Sequence, residues 1–196
     1  MSKCQCNPDV FQIKTKAEDF FHSLPKGHVI YTLMTEHFKI REFIDELEQI
    51  ITKLMPLESI NDHRDLLTRL EFLARHISST RRHYIREEIT LIQRLEILGI
   101  RNPAIEIRQQ HDAMSVEKQR MSNLIHQFYV TPFTDFKDSL RDVSLQLIAD
   151  LRNHIDTEDT VLYPQLIENI RSDQEWAEIK AECDRIGYNC FTPFKN

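Results

Sequence analysis

The sequence has few residues that interrupt helices. Only 3 glycines and 7 prolines occur among 196 residues, whereas an all-β chain needs a turn signal about every ten residues. This scarcity argues against a sheet-rich protein and favours a small number of long helices. With 41% hydrophobic and 29% charged residues, the chain has the composition of a single domain that buries a hydrophobic core.

The sequence also has no long hydrophobic run and little excess of positive charge. No stretch approaches the roughly 18 unbroken apolar residues of a membrane-spanning helix, and the first residues do not resemble a secretory signal. We therefore expect a cytoplasmic protein with no membrane partner. The formal net charge is -6, whereas binding to phosphates relies on concentrated Lys and Arg. We accordingly expect no nucleic-acid partner.

Cysteine is scarce and confined to the two ends of the chain, at Cys4, Cys6, Cys183 and Cys190. In a reducing cytoplasm these residues are expected to be free thiols rather than disulfides. A metal site shared by the two pairs is the alternative, although the Cys-x-Cys spacing is not that of a standard zinc knuckle.

Four long helices are predicted between two short ones. Breaking and capping residues place the long helices at about 29–54, 59–99, 102–130 and 135–164. Because short connections make neighbouring helices antiparallel, the expected fold is all-α, an antiparallel up-down-up-down four-helix bundle with short flanking helices.

Capping boxes predict the flanking helices. Thr15 with Glu18 predicts the start of a short helix before the bundle, and Ser172 with Glu175 predicts the start of one after it. The expected organisation is therefore an N-terminal tail and short helix in residues 1–27, the bundle in residues 28–170, and a short helix and tail in residues 171–196.

Each predicted long helix carries one histidine on or beside its inward face. In the first helix, apolar residues recur in steps of three and four and form one inward stripe, in which His37 is the only polar member. The same spacing places His111 in the third stripe and His154 in the fourth, and it places His83 at the border of the second. The second stripe is predicted to continue to Leu98, and the fourth to Val161.

Two of these histidines are followed by a glutamate four residues later, which lies on the same helix face. Burial of so many ionisable groups without partners would cost several kcal/mol apiece, and a pair of bound cations would remove that cost. Imidazole and carboxylate ligands together suit iron, with manganese or zinc as alternatives. The predicted ligands of two iron ions, called the six-residue set below, are His37, His83, Glu87, His111, His154 and Glu158.

Several alternatives stay open. Glu88 is a rival to Glu87, although it is rotated by about 100° from the stripe. His76 could support the site from outside, and Tyr84 could serve redox chemistry or simply pack in the core. A single buried histidine is often only a hydrogen-bonded core residue, so a bundle without metal is also conceivable.

The segments that carry these residues resemble the hemerythrin-like, or HHE cation-binding, family. They are EHFKIREFIDELEQI with Glu36 and His37, HYIREEITL, QQHDAM, and HIDTEDTVLYPQL through Pro164. The resemblance covers about residues 28–168. It departs from the family after Glu87, where an aromatic residue and a proline are replaced by Leu91, Ile92 and Gln93, so that the second helix is expected to continue.

The resemblance implies a non-haem di-iron site that binds or senses O2 or NO. The alternatives are an iron donor, a repair protein for iron–sulfur centres, or a redox enzyme that scavenges peroxide or NO. A repair protein of this family is expected to carry a cysteine-rich amino-terminal domain, for which Cys4 and Cys6 are a poor substitute. No oligomeric state is predicted.

Overall fold

The structure of the protein is a computed structural model that describes residues 8–61 and 63–192, with side chains from residue 16 onward. All regular elements in this part of the chain are helical, as the scarcity of helix-breaking residues predicts. The elements are α1 (Pro8–Ser23), α2 (Val29–Leu54), α3 (Arg64–Ser78), α4 (Arg81–Arg86), the π-helix π1 (Glu87–Ile92), α5 (Gln93–Ile97), α6 (Arg101–His126), a 3-10 turn (Phe128–Val130), α7 (Phe133–Thr157), the π-helix π2 (Glu158–Leu162), α8 (Tyr163–Asn169) and α9 (Asp173–Ile186).

Two flanking helices were expected, and both are present. The hydroxyl of Ser172 accepts a hydrogen bond from the backbone N–H of Glu175, so the predicted cap of α9 is confirmed. The predicted start at Thr15 is wrong, because α1 begins at Pro8. Proline is well tolerated in the first turn of a helix, and no further helix breaker separates it from Thr15.

The second predicted helix is interrupted. It begins at Arg64 rather than near Ser59, and a turn at Ser79 and Thr80 separates α3 from α4. Beyond Glu87 the chain continues helically as π1 and α5, as the missing proline predicts.

The four long helical segments pack around a common interior. α2 lies between α3 and α7, and α6 packs against the other sides of α3 and α7. Contacts between α2 and α7 run in opposite sequence directions: Arg41 pairs with Asp156, whereas Lys137 donates to the carbonyl of Met55. The complete up-down-up-down topology stays a prediction.

The interior consists of two hydrophobic clusters with a polar layer between them. On α2, residues up to Met34 belong to one cluster and residues from Ile40 onward to the other, with His37 between them. On α6, His111 likewise separates Ile107 from Met114. The apolar stripes thus fix the height at which the histidines meet.

Two residues of the predicted stripes are exposed instead. Val161 is 43% exposed, whereas Leu162 and Tyr163 beside it are fully buried. A π-helix hydrogen-bonds from residue i to i+5, so π2 rotates the following residues out of the α-helical register. Leu98 is 45% exposed because it follows the end of α5, and Leu95 fills the core in its place.

None of the helices in the described ranges combines the length and apolar character needed to cross a membrane.

Candidate metal centre

The structure brings the six-residue set together in the polar layer, with each residue no more than 2% exposed. The side chains form two groups, and in each group one ligand atom per residue lies within 4.8 Å of the others. Each group is called a half-site below. His37 and His83 belong to the first half-site, and His111 and His154 belong to the second. Glu87 and Glu158 belong to both groups, and this position allows each carboxylate to bridge two ions.

The distances in the first half-site suit a shared cation. His37 Nε2 lies 3.2 Å from Glu158 Oε2, and His83 Nε2 lies 3.4 Å from Glu87 Oε1. The two Nε2 atoms are 3.0 Å apart. Two donors bound about 2.1 Å from one ion, at angles of about 90 to 110°, are about 3.0 to 3.4 Å apart. The observed spacings fall in this range.

The second half-site is similar but slightly wider. His154 Nε2 lies 3.2 Å from Glu158 Oε1. His111 Nε2 lies 3.5 Å from Glu87 Oε2 and 3.7 Å from Glu158 Oε1. The two glutamates therefore each direct one oxygen toward each pair of histidines.

Each of the four histidines is oriented through its other ring nitrogen. The Nδ1 atoms of His37, His83 and His111 each lie 2.6 to 2.7 Å from a carboxylate oxygen. The Nδ1 atom of His154 lies 2.8 Å from an amide oxygen. Because these oxygens accept, each Nδ1 carries a proton and each Nε2 faces the centre, where its lone pair would be available to a bound cation. The four acceptors are Asp159, Glu36, Glu88 and Gln110, in the same order.

Several atoms at the centre are buried without a hydrogen-bond partner. They are Glu87 Oε2, His111 Nε2, His154 Nε2 and both carboxylate oxygens of Glu158. Buried polar atoms are ordinarily satisfied, and leaving one without a partner costs about 1 to 3 kcal/mol. Convergence of several such atoms between the four histidines fits bound cations.

The electrostatics of the metal-free centre lead to the same conclusion. Burial lowers the pKa of His37, but Asp159 and Glu158 more than offset it and raise the pKa to about 10. Burial also lowers the pKa of His111, but Glu158, Glu87 and Glu88 outweigh this effect and raise the pKa to about 11. The carboxylates thus stabilise positive charge at the centre, and without metal this charge is carried by protons on the histidines. Metal binding should release those protons.

Two tyrosines lie against the centre. Tyr163 donates to Glu87 Oε1 at 2.5 Å, and its oxygen lies 3.4 Å from His37 Nε2. Tyr84 stacks on the His111 ring with the ring centroids 4.0 Å apart. The Tyr84 hydroxyl accepts a hydrogen bond from the buried Lys118, so this tyrosine both packs and belongs to a polar contact.

A cavity of about 480 Å³ lies between α4 and α6, beside the second half-site. Its lining includes Tyr84, Glu88, His111 and Lys118. Of these residues, His111 belongs to the six-residue set, so the cavity borders one of the candidate ligands of the second half-site.

The other candidates lie elsewhere. Glu88 is 31% exposed and accepts from His111 on the outer side of that ring, so it is not at the centre. His76 donates to the carbonyl of Phe72 and stacks on its ring. Cys183 and Cys190 are free thiols, one buried and one exposed, and Cys4 and Cys6 lie outside the described residues.

The outer acceptors Glu36, Asp159 and Gln110 were missed from the sequence. Each is adjacent in sequence to a member of the six-residue set, and that adjacency is the one signal that could have indicated them. Tyr163, five residues after Glu158, was missed because α-helical spacing does not place it beside that glutamate.

Residues 28–166 match the family described as the Hemerythrin HHE cation binding domain, which is well over half of the chain. A comparison with curated proteins gives no match.

Proposed function

Because the chain belongs to the hemerythrin HHE cation-binding family, we propose that it is a non-haem di-iron protein that binds or senses O2 or NO. The domain itself implies cation binding. The proposal adds the number and identity of the ions, the ligands and the small molecule, and it takes the surrounding fold as an antiparallel up-down-up-down four-helix bundle.

One observation carries the proposal: two clusters of two histidines and two glutamates share both glutamates. A single ion would need only one of the clusters, whereas two ions use both and explain why the carboxylates lie between them. The proposed ligands are His37 and His83 for one ion, His111 and His154 for the other, and Glu87 and Glu158 for both. Imidazole and carboxylate ligands suit iron, and also manganese or zinc.

The surroundings support binding of a small molecule. Six protein ligands for two ions leave coordination positions free, as in metal sites that take up a substrate or water. Bound iron would supply the electrons needed to hold a diatomic molecule reversibly. The protein residues hold each imidazole in one tautomer, exclude bulk water from the centre, and leave the cavity beside His111 for exchange.

A redox enzyme is the second candidate, and Tyr163 is the observation that favours it. Its hydroxyl lies within hydrogen-bond distance of both Glu87 and His37, where a phenol could deliver a proton to a molecule at the first half-site. Sustained peroxide or NO consumption would distinguish this function from reversible binding.

Elemental analysis of protein from iron-replete cells tests the proposal directly. We expect about two irons per chain, an absorption band near the ultraviolet edge after oxidation, and a further spectral change with O2 or NO that reverses under vacuum. Fewer than one equivalent of any transition metal, after attempted reconstitution of the metal-free protein with Fe(II), would contradict the proposal.

A further inference from the structure

The C-terminal strap, defined as residues 187–192, reaches back to the polar layer. The chain turns away from α9 at Gly187, whose φ of 88° lies in the left-handed region that favours glycine. Asn189 and Thr192 then become buried, with 1% and 5% exposure. Burial of two polar side chains is unusual unless both have partners.

Asn189 and Thr192 hydrogen-bond to the same carboxylate, that of Glu36. Asn189 Nδ2 donates to Glu36 Oε2 at 3.1 Å, and the Thr192 hydroxyl donates to Glu36 Oε1. Glu36 is fully buried and also accepts from Arg86 Nη2 at 2.5 Å. The same Oε2 atom accepts from His83 Nδ1 at 2.7 Å.

Further contacts hold the strap in place. Arg82 donates to the carbonyl of Tyr188 at 3.0 Å, and the Arg86 guanidinium lies 4.7 Å from the centroid of the Tyr188 ring. Phe191 packs edge-on against Phe43 of α2, with the ring centroids 5.3 Å apart. The strap is thus attached to α2 and α4 together, the two elements that supply Glu36 and His83.

We infer that the C-terminal strap positions Glu36 and, through it, the His83 imidazole, so that metal binding at the first half-site depends on residues outside the family domain. Asn189 and Thr192 are positioning residues, because neither belongs to the two clusters of candidate ligands. The matched family region ends at residue 166, so this contact is a feature of this chain rather than one implied by the family. The inference rests on the proposed function for its metal readout only.

The second half-site provides an internal reference. His111 and His154 are oriented by Glu88 and Gln110, which lie on π1 and α6. Within the described residues, the hydrogen bonds between the strap and the bundle involve Glu36 and Arg82 rather than these two acceptors. Loss of the strap contacts should therefore affect the two half-sites unequally. A general loss of stability would instead weaken both half-sites equally.

The test compares the full-length wild-type chain with the double variant Asn189→Ala/Thr192→Val. Cys190→Ser is the matched control, since Cys190 is an exposed residue within the strap. Thr192→Ser is the conservative variant that keeps the hydroxyl. Fe(II) binding is titrated, and the ring N–H signal of His83 is followed by NMR in the metal-free protein.

In the double variant we expect one iron to bind up to about 10-fold more weakly and the other as in the wild type. Removal of the direct partner of a metal-binding histidine costs about 10- to 100-fold in affinity, and Asn189 and Thr192 act on His83 only through Glu36. The His83 N–H should exchange faster with solvent. Cys190→Ser and Thr192→Ser should behave as the wild type does. Unchanged exchange of the His83 N–H in a folded double variant would overturn the inference.

The two readouts separate the inference from the proposed function. A wild-type chain that binds no iron, with a His83 N–H that still exchanges faster in the double variant, would contradict the function and leave the positioning role supported. Equal weakening of both irons would overturn the selective role. If the double variant does not fold, as judged by circular dichroism, the same comparison is made with Thr192→Val alone.

Discussion

The two half-sites contain the same ligand types in different surroundings. In the first, His37 and His83 are oriented by two carboxylates, Asp159 and Glu36, which are 4% and 0% exposed. In the second, one acceptor is the amide of Gln110, and the other is the partly exposed Glu88. A buried carboxylate makes an imidazole a stronger ligand than an amide does. The first half-site should therefore hold its ion more firmly.

The second half-site is also the more accessible of the two. The cavity between α4 and α6 borders the second half-site at His111, whereas the strap and Arg86 contact Glu36 beside the first. Burial would raise the pKa of Glu36, but His83 and Arg86 lower it to about 2. Its charge is therefore permanent at physiological pH. If the centre holds two ions as proposed, the first ion should therefore be retained and the second should exchange more readily.

The largest effect is expected from the glutamates that the half-sites share. Glu158→Gln should reduce the metal content from about two ions per chain to nearly none, because it removes one anionic ligand from each ion. Glu87→Gln should behave similarly. The content is measured by elemental analysis after reconstitution with Fe(II).

Glu42→Gln is the matched control, since the Glu42 side chain is 64% exposed and its loss should leave both ions bound. Retention of two tightly bound ions by Glu158→Gln would contradict the shared role of this residue.

An intermediate effect is expected from histidines that belong to one half-site. His154→Ala should leave about one ion per chain. It should also lower stability by about 1 to 3 kcal/mol, because the fully buried Glu158 loses the His154 imidazole that lies 3.2 Å from its Oε1 atom. His83→Ala should also leave about one ion. Iron analysis and thermal unfolding measure the two effects.

The exposed His22 provides the control, because His22→Ala should change neither metal content nor stability. If His154→Ala and His22→Ala bind metal equally, the assignment of the second half-site is wrong. If His83→Ala binds no metal at all, the half-sites are not independent, and the comparison between them fails.

Helical spacing explains why the convergence of most of the six central residues could be predicted, while their role as ligands stays a prediction. Steps of three and four residues identify one inward face per helix, and a histidine that interrupts an apolar stripe is conspicuous there. His37, His111 and His154 were found in this way. The two apolar clusters on either side of the polar layer then force these residues to the same height in the bundle.

The same spacing cannot identify the residues around the centre. Glu36 and Asp159 lie beside the inward faces, where charged residues ordinarily contact solvent. The two π-helices depend on i to i+5 hydrogen bonds that have no clear sequence signature, so the burial of Tyr163 could not be predicted. Asn189 reaches Glu36 only through tertiary folding across about 150 residues, about which periodicity carries no information.

The smallest effect on metal content is expected at Lys118, beside the second half-site. Its ammonium donates to the hydroxyls of Thr80 and Tyr84, and within the described residues it forms no ion pair. Burial lowers its pKa from 10.5 to about 7. Between these values the unfolded chain binds more protons than the folded one, so this group makes stability rise with pH from about 7 to about 10.5.

Lys118→Met should therefore remove part of that rise while leaving the number of bound ions unchanged. Urea unfolding of the metal-free protein is measured from pH 6 to pH 10, with the exposed Lys26→Met as control. The variant should gain most relative to the wild type at pH 6, by a few kcal/mol at most, and the difference should shrink as the pH rises. A pH-independent difference in the free energy of unfolding would mean that burial does not lower the pKa of Lys118. The second half-site would then differ from the first only in its imidazole partners and its access to the cavity.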